Sequence, residues 1–183
     1  DLWLNYSKEA TEFKIWSPTA EMVKVHLYNK GDGGEPTATY LMDMHPDGIW
    51  KKQLNENLNG TYYTYQVQFE GRWLDETPGI YAQSVGVNGE RAMVLDLETT
   101  NPKNWRLDQG PKIKYTNEAI IYELHIRDIT VHPGSGSSMP GKYLGLVEEG
   151  TKGPSDIATG IDHIKELGIT HIHLLPAFDN YSI

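Results

Sequence analysis

The sequence predicts an antiparallel β-sandwich that is followed by a segment of alternating strands and helices. Two observations predict the sandwich. Apolar and polar residues alternate with a period of two through the first hundred residues, and turn dipeptides separate the alternating runs. The third observation is a change of pattern after residue 117, where a strand, a helix and a strand follow one another. A chain of 183 residues has room for one average domain or two small ones.

The strand pattern is clearest in residues 61–69. In this run the odd-numbered side chains from Tyr63 to Phe69 form one apolar face, and the even-numbered side chains from Thr64 to Gln68 form a polar one. Similar strands are predicted at residues 13–16, 23–27, 37–43, 49–54 and 92–97. The turn dipeptides between them are Asp32-Gly33, Asp47-Gly48, Asn59-Gly60 and Asn88-Gly89.

The second half of the chain has a different organisation. Residues 101–117 contain two prolines and a glycine and predict a connector between a first domain, 1–100, and a second, 118–183. Strands are predicted at 119–126 and 169–175. The interval 131–154, with six glycines and three prolines, predicts a long loop without structure of its own, of the kind that is usually functional or disordered.

A helix is predicted between these two strands. Four apolar residues recur there at helical spacing, namely Ile157, Ile161, Ile164 and Leu167. Either Ser155 or Thr159, the latter with Asp162 three residues on, is suited to cap its beginning. Gly168 is suited to end it.

A strand, a helix and a strand in succession predict two parallel strands. Parallel strands need cover on both faces and partners at both edges, and the residues after 117 are too few to supply them. We therefore expect a continuation of the chain or another chain to complete the second domain. Packing of this unit on the sandwich is the alternative.

Composition restricts the partners of the chain. Its 25 acidic residues exceed its 16 basic ones, and the net charge of −9 disfavours binding to nucleic-acid backbones and to anionic membranes. The absence of cysteine excludes disulfides, thiolate metal sites and cysteine nucleophiles. Five Trp and 11 Tyr, against 3 Phe, suit a surface for neutral, hydroxyl-rich ligands, although sheets favour Tyr in any case. The chain begins at Asp1, as after processing, and secretion and a cytoplasmic location both stay open.

Three carboxylates are candidates for catalysis. Glu123, Asp128 and Asp179 lie in or just after the two predicted parallel strands, and chemistry gathers at the carboxyl ends of such strands. Asp128 and Asp179 could together perform acid–base catalysis on a glycosidic bond. A salt bridge with Arg127, or a role in capping a loop, is the commoner use of such residues.

Two further groups of residues are candidates for binding. His171 and His173 share a face of the second strand and could ligate a metal, but no third ligand is evident, and histidines that hydrogen-bond within a fold are commoner. Gly71-Arg72-Trp73 predicts a turn that presents an indole on which the apolar face of a sugar could stack. The alternative is that Trp73 closes the edge of the sandwich.

Motifs in the second half resemble a known enzyme family. Residues 119–128 (AIIYELHIRD), 141–146 (GKYLGL) and 151–154 (TKGP) resemble the first barrel strand of type I pullulanases and the loop after it. Residues 159–179 are similar to the first helix and second strand of that barrel. These enzymes are α-1,6-debranching members of glycoside hydrolase family 13.

The first half resembles carbohydrate-binding module family 48, the β-sandwich that precedes this barrel. The resemblance rests on residues 13–20 (FKIWSPTA), 60–63 (GTYY), 71–73 (GRW) and 81–92 (YAQSVGVNGERA). Glycogen-binding relatives use the Trp matched by Trp73, a second Trp in an earlier loop and a Lys on the strand before the turn. Here residues 30–35 contain no Trp, and the strand position falls near Gln66.

The resemblance implies that residues 118–183 begin a (β/α)8 TIM barrel. It implies retaining hydrolysis of α-1,6 branches in pullulan, starch or glycogen by an Asp nucleophile, a Glu acid/base and an assisting Asp on later strands. No residue of this chain corresponds to them, so we expect the chain to be inactive alone and to associate with the remaining barrel. Substrate binding is assigned to Trp73 and Asp179. No cofactor is implied, although some relatives use calcium. The alternative function is a stand-alone α-glucan-binding module that uses Trp73.

Overall fold

The computed structural model describes residues 1–177 and separates into two compact units. The first unit comprises residues 1–105, and the second begins at residue 106. Among residues 1–177, no helix has both the length and the apolar character needed to cross a bilayer.

The first unit is built from two antiparallel sheets. Its strands are β1 (Asn5–Tyr6), β2 (Thr11–Trp16), β3 (Met22–Tyr28), β4 (Ala38–Leu41), β5 (Asp43–Met44), β6 (Ile49–Leu54), β7 (Tyr62–Phe69), β8 (Arg72–Trp73) and β9 (Ala92–Met93). One sheet has the order β1-β2-β6-β5, and the other has the order β4-β3-β7-β8, with β9 paired to the start of β7. The predicted antiparallel sandwich is confirmed.

The core of the sandwich lies between the inward faces of the two sheets. Tyr63 and Tyr65 of β7 are buried beside Val23 and Val25 of β3, and the ring of Phe13 meets that of Tyr63 edge-on at 5.1 Å between centroids. Each fully buried side chain of this size stabilises the fold by about 2 kcal/mol. Burial also raises the pKa of Tyr63 to about 12.

The polar face of β7 is more buried than its alternation predicts. Thr64 and Gln68 are enclosed as well, because residues 74–77 continue beside the strand and Thr77 exchanges two backbone hydrogen bonds with Tyr65. The hydroxyl of Thr64 donates to the carboxylate of Glu76. Polar side chains are stable in such a position when a partner satisfies them.

In the first unit, the strands predicted at 37–43 and 92–97 differ most from the expected ranges. The run predicted at 37–43 divides at the buried Met42, so that β4 joins one sheet and β5 the other. The run predicted at 92–97 ends early, because the side chain of Asp96 accepts a hydrogen bond from the amide of Glu98 and begins a short 3₁₀ helix at Leu97–Thr100. Neither change follows from alternation alone.

The second unit contains two parallel strands and two short α-helices. The strands are β10 (Ile121–Leu124) and β11 (His171–Leu174), and the helices are α1 (Tyr143–Leu146) and α2 (Gly160–Glu166). Ile121 of β10 stands opposite His171 of β11, and the predicted parallel pairing is confirmed. A small core of Leu124, Ile126, Leu146 and Ile164 lies between the strands and the helices.

The α2 helix begins later than a cap at Ser155 predicts. Ser155 and Asp156 have φ angles of +64° and +63°, which no helical residue adopts. Ser155 is therefore wrong as the cap, and Ile157 lies outside the helix. Thr159 occupies the capping position, but its hydroxyl donates to the carbonyl of Ser135 instead of accepting from the helix.

The apolar face of α2 is narrower than predicted. Ile164 is buried and Ile161 packs beside it, whereas Leu167 lies just past the helix and is half-exposed. Gly168 follows in the left-handed region, at φ +71°, and ends the helix as predicted.

The interval 131–154 is a structured segment, not the structureless loop that its glycines and prolines predict. The buried Ser135 donates to the carbonyl of Thr130 at 2.7 Å, and the amide of Gly141 donates to the hydroxyl of Thr130 at 2.8 Å. Glu148 accepts hydrogen bonds from Ser137 and Ser138, which lower its pKa to about 2. Side-chain hydrogen bonds thus order a stretch that hydrophobic periodicity cannot identify.

Candidate functional site

Trp73 lies at the edge of the sandwich on a tight hairpin. Glu70 and Gly71, with φ angles of +48° and +71°, form the two-residue turn between β7 and β8. The carboxylate of Glu21 accepts the Gly71 amide at 2.9 Å and holds the turn against the start of β3. Pairing with Gln68 places Trp73 half-buried on the outer face of the sheet.

A lysine that the sequence analysis did not identify lies against this indole. The ammonium of Lys24 is 3.8 Å from the centroid of the Trp73 ring. Lys24 belongs to β3 and stands opposite Gln66 of β7. Gln66 lies near the position at which glycogen-binding relatives have a lysine on the strand before the turn. The antiparallel register of β3 and β7, which the sequence analysis did not assign, brings Lys24 to the indole.

We call Trp73, Lys24 and Gln66 the Trp73 surface. It combines an aromatic ring with an ammonium group and an amide, a set that suits a neutral ligand with many hydroxyls. The Gln66 side chain is positioned by a hydrogen bond to the carbonyl of Leu74 at 3.0 Å. Because the ammonium covers one side of the indole, a sugar that stacks there has to displace it or use the other side.

A polar network supports the sheet beside this surface. Tyr28 and Thr64 both donate to the carboxylate of Glu76. Partial burial opposes ionisation of Glu76, but the hydrogen bonds from Thr64 and Tyr28 prevail and lower its pKa. His26 lies on the same face of β3, with its ring nitrogens 2.8 Å from the hydroxyl of Thr39 and 3.3 Å from the amide oxygen of Gln66.

Arg91 holds the loop of residues 30–35. This is the loop that contains no Trp to match the second tryptophan of glycogen-binding relatives. Its guanidinium donates to the carbonyls of Lys30, Gly33 and Gly34 at 2.9, 2.7 and 3.2 Å, and it stacks on the Tyr28 ring at 3.5 Å. This loop therefore has a defined shape but contributes no aromatic ring.

The carboxylates of the second unit are engaged by neighbouring cationic or titratable groups. Glu123 lies 3.2 Å from Nδ1 of His173, across the parallel pair. Asp128 lies 3.7 Å from Nη1 of Arg127 and 3.5 Å from Nδ1 of His125, which is the arrangement that the salt-bridge interpretation predicts. Asp179 lies outside the described residues, so its pairing with Asp128 stays a prediction.

The two strand histidines do not belong to a metal site among the described residues. His171 contacts the hydroxyl of Thr170 at 2.8 Å, and His173 faces Glu123. No group of three or more His, Asp or Glu side chains with metal-binding geometry occurs within residues 1–177.

A cavity of about 210 Å³ lies at the carboxyl ends of β10 and β11. His125, Arg127 and Tyr143 line it, and the Tyr143 hydroxyl donates to the carbonyl of Ala177 at 3.2 Å. Ligands of parallel α/β folds bind at this end of the strands.

Comparison with known families and proteins finds relatives that match both units. The family model of carbohydrate-binding module 48, the isoamylase N-terminal domain, matches residues 2–96. A pullulanase of Bacillus subtilis is 33% identical over 174 residues, which are 95% of this chain and 23% of that protein. A pullulanase of Klebsiella pneumoniae is 30% identical over 91% of this chain and 16% of its own length.

Comparison with solved structures also finds pullulanases. The apo pullulanase of Paenibacillus barengoltzii is 45% identical with a TM-score of 0.91, over 98% of this chain and 27% of that one. The pullulanase of Bacillus acidopullulyticus is 41% identical with a TM-score of 0.92, over all of this chain and 22% of that one. The P. barengoltzii enzyme has also been solved with maltohexaose and α-cyclodextrin. The chain thus spans about a quarter of the length of these relatives.

Proposed function

Because the chain belongs to the family of carbohydrate-binding module 48, we propose that it forms the N-terminal part of an α-1,6-debranching glycoside hydrolase. Its substrates in this proposal are pullulan, starch or glycogen. The names of the relatives support this activity, and those relatives match the chain through both units and not through the sandwich alone.

The parallel pair of the second unit is the observation that carries the proposal. Ile121 of β10 is 65% exposed and Leu174 of β11 is 41% exposed, although parallel strands in folded proteins are covered on both faces. In our proposal β10 and β11 are the first two strands of a (β/α)8 barrel that further βα units complete. The domains are then the sandwich, 1–100, a connector, 101–117, and the start of the barrel, 118–183.

The proposal places the catalytic carboxylates outside this chain. Retaining hydrolysis needs two carboxyl groups about 5 Å apart, one as nucleophile and one as acid/base. Glu123 and Asp128 instead face His173 and Arg127. We therefore propose that the chain alone is inactive, that Asp179 contributes to substrate binding, and that no cofactor takes part.

A chimeric enzyme tests this proposal. In the chimera, the matching part of the P. barengoltzii pullulanase is replaced by this chain, and release of reducing sugar from pullulan is measured. We expect no hydrolysis by the 183-residue chain and clear hydrolysis by the chimera. The same junction rebuilt with the native segment is the control. A chimera that folds but is inactive would contradict the proposed function, and hydrolysis by the chain alone would contradict the absence of catalytic groups.

The second candidate function is binding of α-glucan by the Trp73 surface. The observation that favours it is Lys24 beside the indole, which supplies the charged donor that the strand before the turn lacks. A single indole with one lysine supports a Kd of about 1 mM, or about −4 kcal/mol.

Affinity electrophoresis in gels that contain glycogen or pullulan tests this second function. We expect the glucan to retard the chain, and Trp73→Ala to abolish the retardation. Trp105→Ala is the matched control, because that indole is 56% exposed and lies outside the Trp73 surface. Equal mobility with and without glucan would exclude glucan binding by this surface.

A further inference from the structure

A buried histidine beside the Trp73 surface has a role that stacking of a sugar on the indole does not explain. His26 of β3 is 7% exposed, and both nitrogens of its ring have partners on neighbouring strands. Nδ1 lies 2.8 Å from the hydroxyl of Thr39 on β4, and Nε2 lies 3.3 Å from the amide oxygen of Gln66 on β7. The ring therefore links the side chains of three adjacent strands.

The hydrogen bonds of this chain of side chains run in one direction. The carbonyl oxygen of Leu74 can only accept, so the amide nitrogen of Gln66, 3.0 Å away, donates to it. The amide oxygen of Gln66 then faces His26, and Nε2 of the ring has to carry the proton that it donates. In the neutral ring, Nδ1 is left as the acceptor for the hydroxyl of Thr39.

This chain of hydrogen bonds fixes the orientation of the Gln66 amide. An amide that is held at one end only can turn about its last side-chain bond, and its oxygen and nitrogen then exchange places. Here Leu74 requires the nitrogen on one side, and His26 requires the oxygen on the other. A turned amide would set two acceptors against each other at Leu74 and two donors at His26, so that both contacts would be lost.

The Gln66 amide keeps hydrogen-bonding capacity for a ligand. It has two N–H groups and can accept two hydrogen bonds, and among residues 1–177 Leu74 and His26 use one of each. The side chain is half-buried and stands opposite Lys24, whose ammonium lies on the Trp73 ring. An adjacent donor and acceptor suit two neighbouring hydroxyls of a sugar ring, since each hydroxyl both donates and accepts.

We propose that His26 is a positioning residue of the Trp73 surface and holds the Gln66 amide in the orientation that receives a pair of sugar hydroxyls. The inference rests on the second candidate function, glucan binding by this surface, and adds to it the residue that orders the surface in advance. His26 itself does not touch the ligand. Because a side chain that is already ordered loses less entropy on binding, the effect of His26 is on affinity.

NMR spectroscopy tests the positioning role without a ligand. We expect the neutral His26 ring to carry its proton on Nε2, which the nitrogen chemical shifts of the ring report. The Gln66 side-chain amide should have an order parameter of about 0.85, as an ordered backbone has, and His26→Phe should lower it below about 0.6. The side chain of Gln109, exposed in the connector, is the control and should stay below about 0.6 in both proteins.

Affinity electrophoresis in gels that contain glycogen measures the effect on binding. We expect His26→Phe to raise the Kd about fivefold, because the Gln66 amide then has to be ordered on binding. His26→Gln should restore the affinity, since its side-chain nitrogen reaches the place of Nε2, whereas His26→Asn ends near the place of Nδ1 and should not. His45→Phe, in the loop between β5 and β6, is the matched control and should bind as the unsubstituted chain does.

Thr39→Val tests the other end of the chain of hydrogen bonds. Thr39 is exposed on β4, and the substitution replaces the hydroxyl that donates to Nδ1 with a methyl group. We expect a larger share of the ring to carry its proton on Nδ1, together with a lower order parameter of the Gln66 amide. If both stay unchanged, the inference is overturned, and this result decides even where His26→Phe does not fold.

The outcomes separate this inference from glucan binding itself. Retardation that is the same for the unsubstituted chain and for His26→Phe would overturn the positioning role and leave the binding function standing. Absence of retardation of the unsubstituted chain would overturn the binding function, and an ordered Gln66 amide that His26→Phe releases would retain the positioning role. Equal losses of affinity in His26→Gln and His26→Phe would overturn the inference, because the ring would then act through its packing and not through its hydrogen bond to Gln66.

Discussion

The two units bury their apolar residues to different degrees. Among the described residues, fourteen buried apolar side chains form one cluster in the sandwich, whereas the cluster of the second unit contains four. The sandwich closes its core between its own two sheets, as antiparallel strands with short connections can do. The parallel pair has no such partner within residues 106–177, and Ile121 stays exposed. The comparison shows that the sandwich closes its core within residues 1–105, whereas the parallel pair leaves apolar side chains exposed among the described residues.

The largest expected effect is in the sandwich core. Phe13 is fully buried on β2, and we expect Phe13→Ala to lower the free energy of unfolding by about 3 to 5 kcal/mol because it leaves a cavity. Urea denaturation followed by tryptophan fluorescence measures this change. Trp16→Ala, on the same strand but 59% exposed, is the matched control and should change the free energy by less than about 1 kcal/mol. Equal losses for the two variants would contradict the sandwich core described above.

A smaller effect is expected in the second unit. Ile164 of α2 is 2% exposed, and we expect Ile164→Ala to destabilise the unit by about 2 kcal/mol, at the low end for such a change, because a small core can relax around the gap. Hydrogen exchange of the amides of β10 reports the change. Leu167→Ala, half-exposed at the end of the helix, should leave this exchange nearly unaltered. A loss as large as that of Phe13→Ala would mean that the second unit is as well closed as the sandwich.

The smallest effect concerns pH and the segment 131–154. Hydrogen bonds from Ser137 and Ser138 lower the pKa of Glu148 from 4.5 to about 2. A carboxyl group whose pKa is lower in the folded state stabilises that state above its unfolded pKa. The contribution of Glu148 is therefore complete above pH 4.5 and disappears as the pH falls towards about 2.

An NMR titration measures this dependence. The amide of Ser138, which donates to Glu148 at 3.0 Å, should titrate with a midpoint near 2. Glu148→Gln should remove this midpoint and leave the sandwich amides unchanged. A midpoint at 4.5 would mean that the hydrogen bonds to Glu148 do not persist in solution.

Much of the architecture could be predicted from local pattern. The alternation in β7 identified its inward face, and the strand, helix and strand after residue 117 identified the parallel pair. The beginning of α2 could not be predicted in this way, because the left-handed backbone at Ser155 and Asp156 leaves no mark on the apolar periodicity. The division of the predicted strand at Met42 could not be predicted for a related reason, because a strand that changes sheets keeps its alternation of apolar and polar residues.

The candidate site was predicted in part. The turn beside Trp73 was predicted from local sequence, but its two residues are Glu70 and Gly71, and Trp73 itself lies on β8. Lys24 could not be found, because it is distant in sequence and reaches the indole only through the register of β3 and β7.

The sequence by itself determined the class of each unit, the direction of its strands and the resemblance to debranching enzymes, because alternation, turn residues and motifs are all local properties. Only the tertiary structure decided which side chains meet. It placed Lys24 on Trp73 and engaged Glu123 and Asp128 with His173 and Arg127. These juxtapositions depend on strand register and on packing between distant segments, which the order of residues along one strand does not contain.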